Sequence, residues 1–168
     1  MVIVIAGPPC SGKSTIAAEA ARRLGVPHLS MDATRQRILP GAAHTRADRR
    51  AAYRAMLMAA ELLQAAGAGV ILDAPYGHEE DRRELAPLDP LWIECRVSPE
   101  EAARRLAARG FDPERPDLTA EIVRDAAARY RYESARILDT EALDTAACVA
   151  QAVAWVRAAS GPGSGGLS

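Results

Sequence analysis

Lysine is almost missing from this chain of 168 residues: Lys13 is the only one, and the other 20 basic residues are arginine. A drift of that kind, such as GC-rich codon usage produces, makes the one position that escaped it informative. Aromatic residues are also scarce, at 4%, which argues against the stacking platforms of single-strand nucleic-acid binders. Cys10, Cys95 and Cys148 are odd in number and widely scattered; they exclude a disulfide framework and metal-ligand spacing, and fit reduced thiols in a cytoplasm. No stretch approaches the roughly 20 apolar residues of a membrane span. No basic segment precedes the first apolar run, so no signal peptide and no membrane partner are expected. The formal net charge of −1 provides no overall pull toward nucleic acid.

At 49% hydrophobic and 26% charged, the chain has the makings of one core. A single domain is expected over residues 1–159, and a disordered Gly/Ser-rich tail over 160–168. Lys13 lies in the run Gly7-Pro8-Pro9-Cys10-Ser11-Gly12-Lys13-Ser14, which satisfies the P-loop pattern Gly-x4-Gly-Lys-Ser/Thr at every required position. An ammonium on a flexible stem reaches between β- and γ-phosphates, where a bulkier guanidinium does not. The run sits between a buried strand (Val2 to Ala6) and an Ala-rich helix (13–24), the context that confirms the motif. Gly7, Cys10, Ser11, Gly12, Lys13, Ser14 and Thr15 are therefore expected to bind the nucleotide, with Ser14 also a Mg²⁺ ligand. The Cys10 thiol, near phosphates and a helix start, is expected to have a lowered pKa and to be sensitive to thiol reagents, without a catalytic part.

Strands are expected at 26–30, 70–73 and 91–97, and more weakly at 136–139, with helices at 32–39, 46–66, 79–85, 98–109, 119–132 and 141–159. The pattern predicts a three-layer α/β fold around a mostly parallel five-stranded sheet, with a short lid at about 105–118. Ser98, Pro99 and Glu101 read as a capping box at the start of a helix. The strand 91–97 alternates, so one of its faces, with Trp92, Glu94 and Arg96, is expected to be partly wet or covered by polar helix residues.

Two acids fall at strand ends, where a P-loop sheet presents its ligands. Asp73 closes Val70-Ile71-Leu72 and reads as the acid that holds Mg²⁺. Asp32 follows the second strand, with Arg35 one helical turn on; it reads as a base for an acceptor hydroxyl, or as the helix N-cap, and the two roles are compatible. Arg105 and Arg109, spaced i,i+4 before a proline-containing loop, could bring charge onto the transferring phosphoryl group, or complement a helix dipole. Arg82 is a further candidate for acceptor contact, with a surface salt bridge as its alternative. The cluster Arg35, Arg37, Arg46, Arg49, Arg50 and Arg54 is either a solvated helix face or a binding surface.

Gly7–Thr15, Ser30–Arg35, the run Val70-Ile71-Leu72-Asp73-Ala74-Pro75 with the later Arg82-Arg83, and Glu100–Gly110 together resemble the zeta-toxin/polynucleotide-kinase-like group of small P-loop kinases over roughly residues 1–139. The resemblance implies that Asp32 is the general base, that Arg35 grips the acceptor, and that Arg105 and Arg109 belong to the lid. It also implies that Asp117 is the acid after the lid and that Asp139-Thr140 lies near the nucleotide base. Cys10 departs from the group's usual glycine or serine, and Pro75-Tyr76 from its small polar residues after Asp73; the latter reshapes the acceptor pocket, so the acceptor does not carry over. The expectation is an ATP- or NTP-dependent, Mg²⁺-dependent phosphotransferase acting on a small hydroxyl-bearing molecule, such as an antibiotic or nucleoside-like compound, in a monomer or homodimer. A polynucleotide 5′-hydroxyl kinase is the alternative, with nucleic acid as the less favoured partner; a nucleotide-dependent, toxin-like regulator without such an acceptor is the third.

Overall fold

The structure is a computed structural model that describes residues 1–42, 44–110, 115 and 117–161. Five strands form one wholly parallel sheet in the order β2-β3-β1-β4-β5: β1 (Val2–Ala6), β2 (His28–Ser30), β3 (Val70–Ala74), β4 (Leu91–Arg96) and β5 (Arg136–Asp139). β1 lies at the centre and is buried along its whole length, as its unbroken apolar run requires. Its register pairs Ala6 with Ala74 of β3 and with Glu94 of β4, so the P-loop leaves the sheet level with Asp73.

Each face of the sheet carries its own core. α1 (Lys13–Leu24) and α7 (Thr145–Ser160) cover one face, burying Ile3, Ile5, Ile71, Ile93 and Leu138. On the other face, α3 (Arg46–Ala65), α2 (Met31–Ile38) and α4 (Glu79–Leu85) bury Val2, Val4, Val70 and Leu72. A third cluster joins α5 (Pro99–Arg109) and α6 (Ala120–Arg129) through Ala102, Val123 and Ala127. At roughly 1.5–3 kcal/mol for each fully buried large aliphatic side chain, these layers hold the strand ends that form the site.

The helix ends differ from expectation where side chains found other partners. α6 stops at Arg129 rather than near 132, because Tyr130 turns extended and the Tyr132 hydroxyl donates to the carbonyl of Pro75. α7 starts at Thr145 under an Asp144 cap, not at 141, because Asp139 Oδ1 accepts the N–H groups of Glu141 and Ala142 in a turn. The expected capping box of α5 is half formed: Ser98 Oγ accepts from Glu101 N, but Ser98 N donates to Glu141. Glu101 is drawn away by Arg104 and Arg105, which hold its carboxyl at about 2. A full box of Thr45 and Asp48, not anticipated, opens α3. The second face of β4 is partly wet, as expected: Trp92, stacked on Tyr132, and Arg96 stay half-buried, while Glu94 is buried against Arg96.

The expected lid at 105–118 is described at 105–110, 115, 117 and 118; residues 111–114 and 116 lie outside the described residues. Of the expected tail, Ser160 ends α7 and Gly161 follows, and 162–168 lie outside the described residues. No helix among the described residues is long and apolar enough to cross a membrane.

Candidate active site

The P-loop is shaped for an anion by its backbone. A Cβ on Gly7 would stand 2.7 Å from the Cys95 carbonyl, so only glycine lets the loop lie against β4. Gly12 has φ +81° and ends as the N-cap of α1 without any side-chain cap. The first-turn N–H groups of α1 are thus left for a ligand at the positive end of the helix. Cys10, Gly12, Lys13, Ser14, Thr15, Arg105 and Arg109 line a cavity of about 240 Å³ there. Lys13 and both of the i,i+4 arginines are brought together, as their sequence positions implied. Ser11 is fully buried below them.

Cys10 does not behave as expected. Its backbone holds φ +64°, an αL conformation unfavourable to a residue with a Cβ. Its side chain packs against the α5–α6 cluster. Burial raises the thiol pKa and outweighs the fields of Lys13, Arg109, Arg105 and Arg115. The anticipated lowered pKa is therefore corrected: the sequence showed the charges near the thiol but not its apolar seat.

The two arginines of α5 have distinct settings. Arg105 donates to Glu101 (2.8 Å), to the Thr140 hydroxyl (3.2 Å) and carbonyl (2.5 Å), and at 3.4 Å to the Cys10 carbonyl. It ties α5 to the P-loop and to the turn after β5, where Thr140 also donates to the Arg96 carbonyl. Arg109 lines the cavity at the end of the helix. Arg104 is exposed and paired with Glu101.

Asp73 pairs in register with Ser30 of β2 and is 2% exposed. Neither carboxylate oxygen has a hydrogen-bond partner among the described residues. A buried carboxylate left bare is costly unless a cation or donor meets it. Together with the Ser14 hydroxyl at the start of α1, that bareness fits a Mg²⁺ site with hard oxygen ligands.

Asp32 stands in the first turn of α2, whose N-cap is Ser30, so the N-cap reading of Asp32 does not hold. Its Oδ2 lies 3.3 Å from Arg115, while Oδ1 is buried without a partner among the described residues. From Asp32 an alternating chain of charge continues: Arg115 to Asp117 at 3.2 Å, and Asp117 to Arg49 of α3 at 3.1 Å. Burial opposes ionisation of Asp117, but Arg115, His44 and Arg49 hold its carboxyl below the usual range. Arg35 is 3% exposed and turns from its neighbour Asp32 to the Ala42 carbonyl (3.0 Å) and His44 (3.2 Å), fixing the start of the α2–α3 connection. Arg82 donates to the Tyr76 carbonyl (2.9 Å) and lies over the Tyr132 ring.

Residues 2–132, spanning this P-loop, both strand-end acids and α5, match the family described as AAA domain. The chain belongs to that AAA domain family. It is 34% identical over 164 residues to an adenylate kinase of Mycolicibacterium vanbaalenii, a match covering 86% of this chain and 87% of that relative. A gluconokinase from Sinorhizobium meliloti 1021 shares the fold at TM-score 0.68 and 22% identity, over 94% of this chain and 91% of its own. A shikimate kinase from Acinetobacter baumannii, solved with shikimate, does so at TM-score 0.72 and 17% identity, over 94% and 93%. With those two kinases the chain shares a parallel five-stranded sheet flanked by helices.

Two groups around the site of this AAA domain escaped sequence reasoning. Most of the arginine cluster of α3 is neither a bare surface nor a solvated face: Arg46 pairs with Asp81 (2.9 Å), and Arg50 pairs with Glu80 (2.7 Å) and Glu84 (2.8 Å), all on α4. Tyr53, Tyr76, Trp92 and Tyr132 form a ladder of rings behind the segment after Asp73, with centroids 4.8, 5.5 and 5.9 Å apart. The ladder holds Tyr76 at φ +44°, with its N–H donated to the Tyr53 hydroxyl (3.2 Å). The available signal was the acidic run Glu79-Glu80-Asp81, opposite in charge to the arginines of α3.

Proposed function

We propose that this AAA domain transfers the γ-phosphoryl group of ATP, or of another NTP, to a hydroxyl of a small molecule. The observation that carries the reading is Asp32: a carboxylate two residues beyond the β2 end that pairs with Asp73, with one buried oxygen that has no hydrogen-bond partner among the described residues. Transfer to a hydroxyl calls for a base that takes its proton; transfer to a phosphate oxygen, already ionised, does not. The gluconokinase and the shikimate kinase that share the fold agree with a small-molecule acceptor. The resemblance to the zeta-toxin/polynucleotide-kinase-like group supports the roles of Asp32 and Arg109, while Arg35, held by Ala42 and His44, departs from the acceptor grip it implied.

In this reading the P-loop amides and Lys13 hold the β- and γ-phosphates, with Thr15 assisting, and Arg109 meets charge on the transferring group. Arg105 keeps the loop and the Thr140 turn in register behind the phosphates. Mg²⁺, held by Ser14 and Asp73, supplies charge neutralisation at the phosphates when bound. Asp32 orients and deprotonates the acceptor. Arg35 and Arg82 act from behind, by fixing the α2–α3 connection and the Tyr76 carbonyl. The pairing of Arg46 and Arg50 with α4 speaks against a polynucleotide acceptor, because those charges are already neutralised within the fold.

The test is a labelled-phosphate transfer screen with ATP and Mg²⁺ against sugar acids, cyclic polyols, nucleosides, aminoglycoside-like alcohols, AMP and a 5′-hydroxyl oligonucleotide. Transfer to one of the small alcohols is the expected result. Transfer to AMP alone, or to the oligonucleotide alone, overturns the reading.

A further inference from the structure

Around α1 the sheet face is built from Ile3, Ile5, Ile71, Ile93 and Cys95, with the polar side chains of His28, Ser30 and Asp73 at its β2–β3 side. Of these, Asp73 and His28 adjoin each other. His28 opens the edge strand β2 in register with Ile71, two residues below Asp73 on β3. Side chains alternate along a strand, and register partners share a face, so both project toward α1. His28 Nε2 lies 3.5 Å from Asp73 Oδ2. The Asp73 side chain is 1% exposed and the His28 side chain 24%. Among the described residues, neither Nε2 nor either Asp73 oxygen has a hydrogen-bond partner.

A strand residue facing an apolar helix is ordinarily β-branched or aliphatic. An imidazole there, with its Nε2 buried against a bare carboxylate, needs a polar reason. The separation is at the outer edge of an N–H···O bond, short enough to close by a small side-chain rotation. Carboxylates that hold metals are commonly fixed in turn by a hydrogen bond from behind, and that bond sets which oxygen faces the ion.

We propose that His28 is a positioning residue for Asp73: its Nε2–H holds Oδ2, leaving Oδ1 for Mg²⁺ or its water. The imidazole touches neither substrate nor metal and acts only through the carboxylate. This assignment rests on the reading of Ser14 and Asp73 as the Mg²⁺ site.

The experiment measures ADP binding by calorimetry, with and without Mg²⁺, so it needs no acceptor and no turnover. His28→Phe removes the donor but keeps a planar ring on a partly exposed edge strand, and His28→Gln keeps an N–H of similar reach. His28→Ala replaces His28→Phe if the latter does not fold. The Mg²⁺ concentration giving half of the metal-dependent gain in affinity should rise about tenfold or more in His28→Phe, the lower end of the range for such supporting partners. Metal-free ADP affinity should stay within about twofold, and His28→Gln should recover most of the metal response. An unchanged Mg²⁺ midpoint in His28→Phe overturns the role of His28 while leaving the metal site intact. Equal losses in His28→Phe and His28→Gln overturn it as well, since they indicate packing alone. If wild-type ADP binding ignores Mg²⁺, the assignment of Ser14 and Asp73 fails, and this proposal with it.

Discussion

Replacing Asp32 by asparagine separates chemistry from architecture, because the two roles differ in size. Structurally, Asp32 offers one ion pair, 3.3 Å to Arg115, from a side chain 43% exposed. Such a pair contributes about 0.2–1 kcal/mol at most. A negative charge in the first turn of α2 adds roughly 0.3–1 kcal/mol. The combined loss, below about 2 kcal/mol, leaves a domain of ordinary stability folded. A general base contributes about 10²- to 10⁴-fold in rate, or roughly 2.7–5.5 kcal/mol at 1.36 kcal/mol per tenfold. The assay is kcat and KM at saturating ATP with the best acceptor from the transfer screen, alongside ADP binding by calorimetry. Asp32→Asn should lose about two to four orders of magnitude in kcat with ADP affinity within about twofold. Arg115→Ala is the control, because it removes the ion pair and leaves the carboxylate. It should lose much less, and the double variant should resemble Asp32→Asn. Equal losses in all three variants, or a loss under about tenfold in Asp32→Asn, would refute the base and reduce Asp32 to an anchor for Arg115.

Three further outcomes follow from the surrounding contacts. Tyr53→Phe should destabilise the fold by about 1–3 kcal/mol in urea denaturation, because the buried Tyr76 N–H loses its acceptor; a change under about 0.5 kcal/mol would show that the N–H finds another. Binding of a 5′-hydroxyl oligonucleotide should be weak and nearly flat between roughly 50 and 200 mM salt, since Arg46 and Arg50 are paired within the fold; a steep slope would restore the polynucleotide reading. Cys10 should react with iodoacetamide more slowly than a free thiol at pH 8, because its raised pKa keeps the thiolate fraction low until pH rises further; faster alkylation would mean that the fields of Lys13 and the arginines prevail.

Most of the fold could be read locally. β1 and β3 are short unbroken apolar runs, and their ends came within a residue of the observed ones. The P-loop marked its own strand and helix. Elements went astray where another side chain, distant or on the same helix, decided the matter. α6 was drawn too long because Tyr132 spends its hydroxyl on Pro75, 57 residues away. Glu101 was assigned to a capping box although Arg104 and Arg105, on its own helix, hold it more strongly. In both cases helix signals were present and a stronger partner outbid them.

The site divides along the same line. The placement of Lys13, Ser14 and Asp73 was legible because P-loop shape and strand ends are encoded in short stretches of sequence. The acceptor side was not, because it is built from pairings between separate elements. Arg115 reaches Asp32 across 83 positions, and Asp117 reaches Arg49 across 68. A cluster of arginines in sequence therefore had no fixed meaning until its acids were found. With Arg46 and Arg50 matched by α4, and Arg49 and Arg115 matched by Asp117 and Asp32, little unmatched positive charge is left on α3 for a phosphate backbone to follow. That balance supports the proposed small acceptor recognised by directed hydrogen bonds, with Asp32, whose Oδ1 has no partner among the described residues, as its proposed point of attachment.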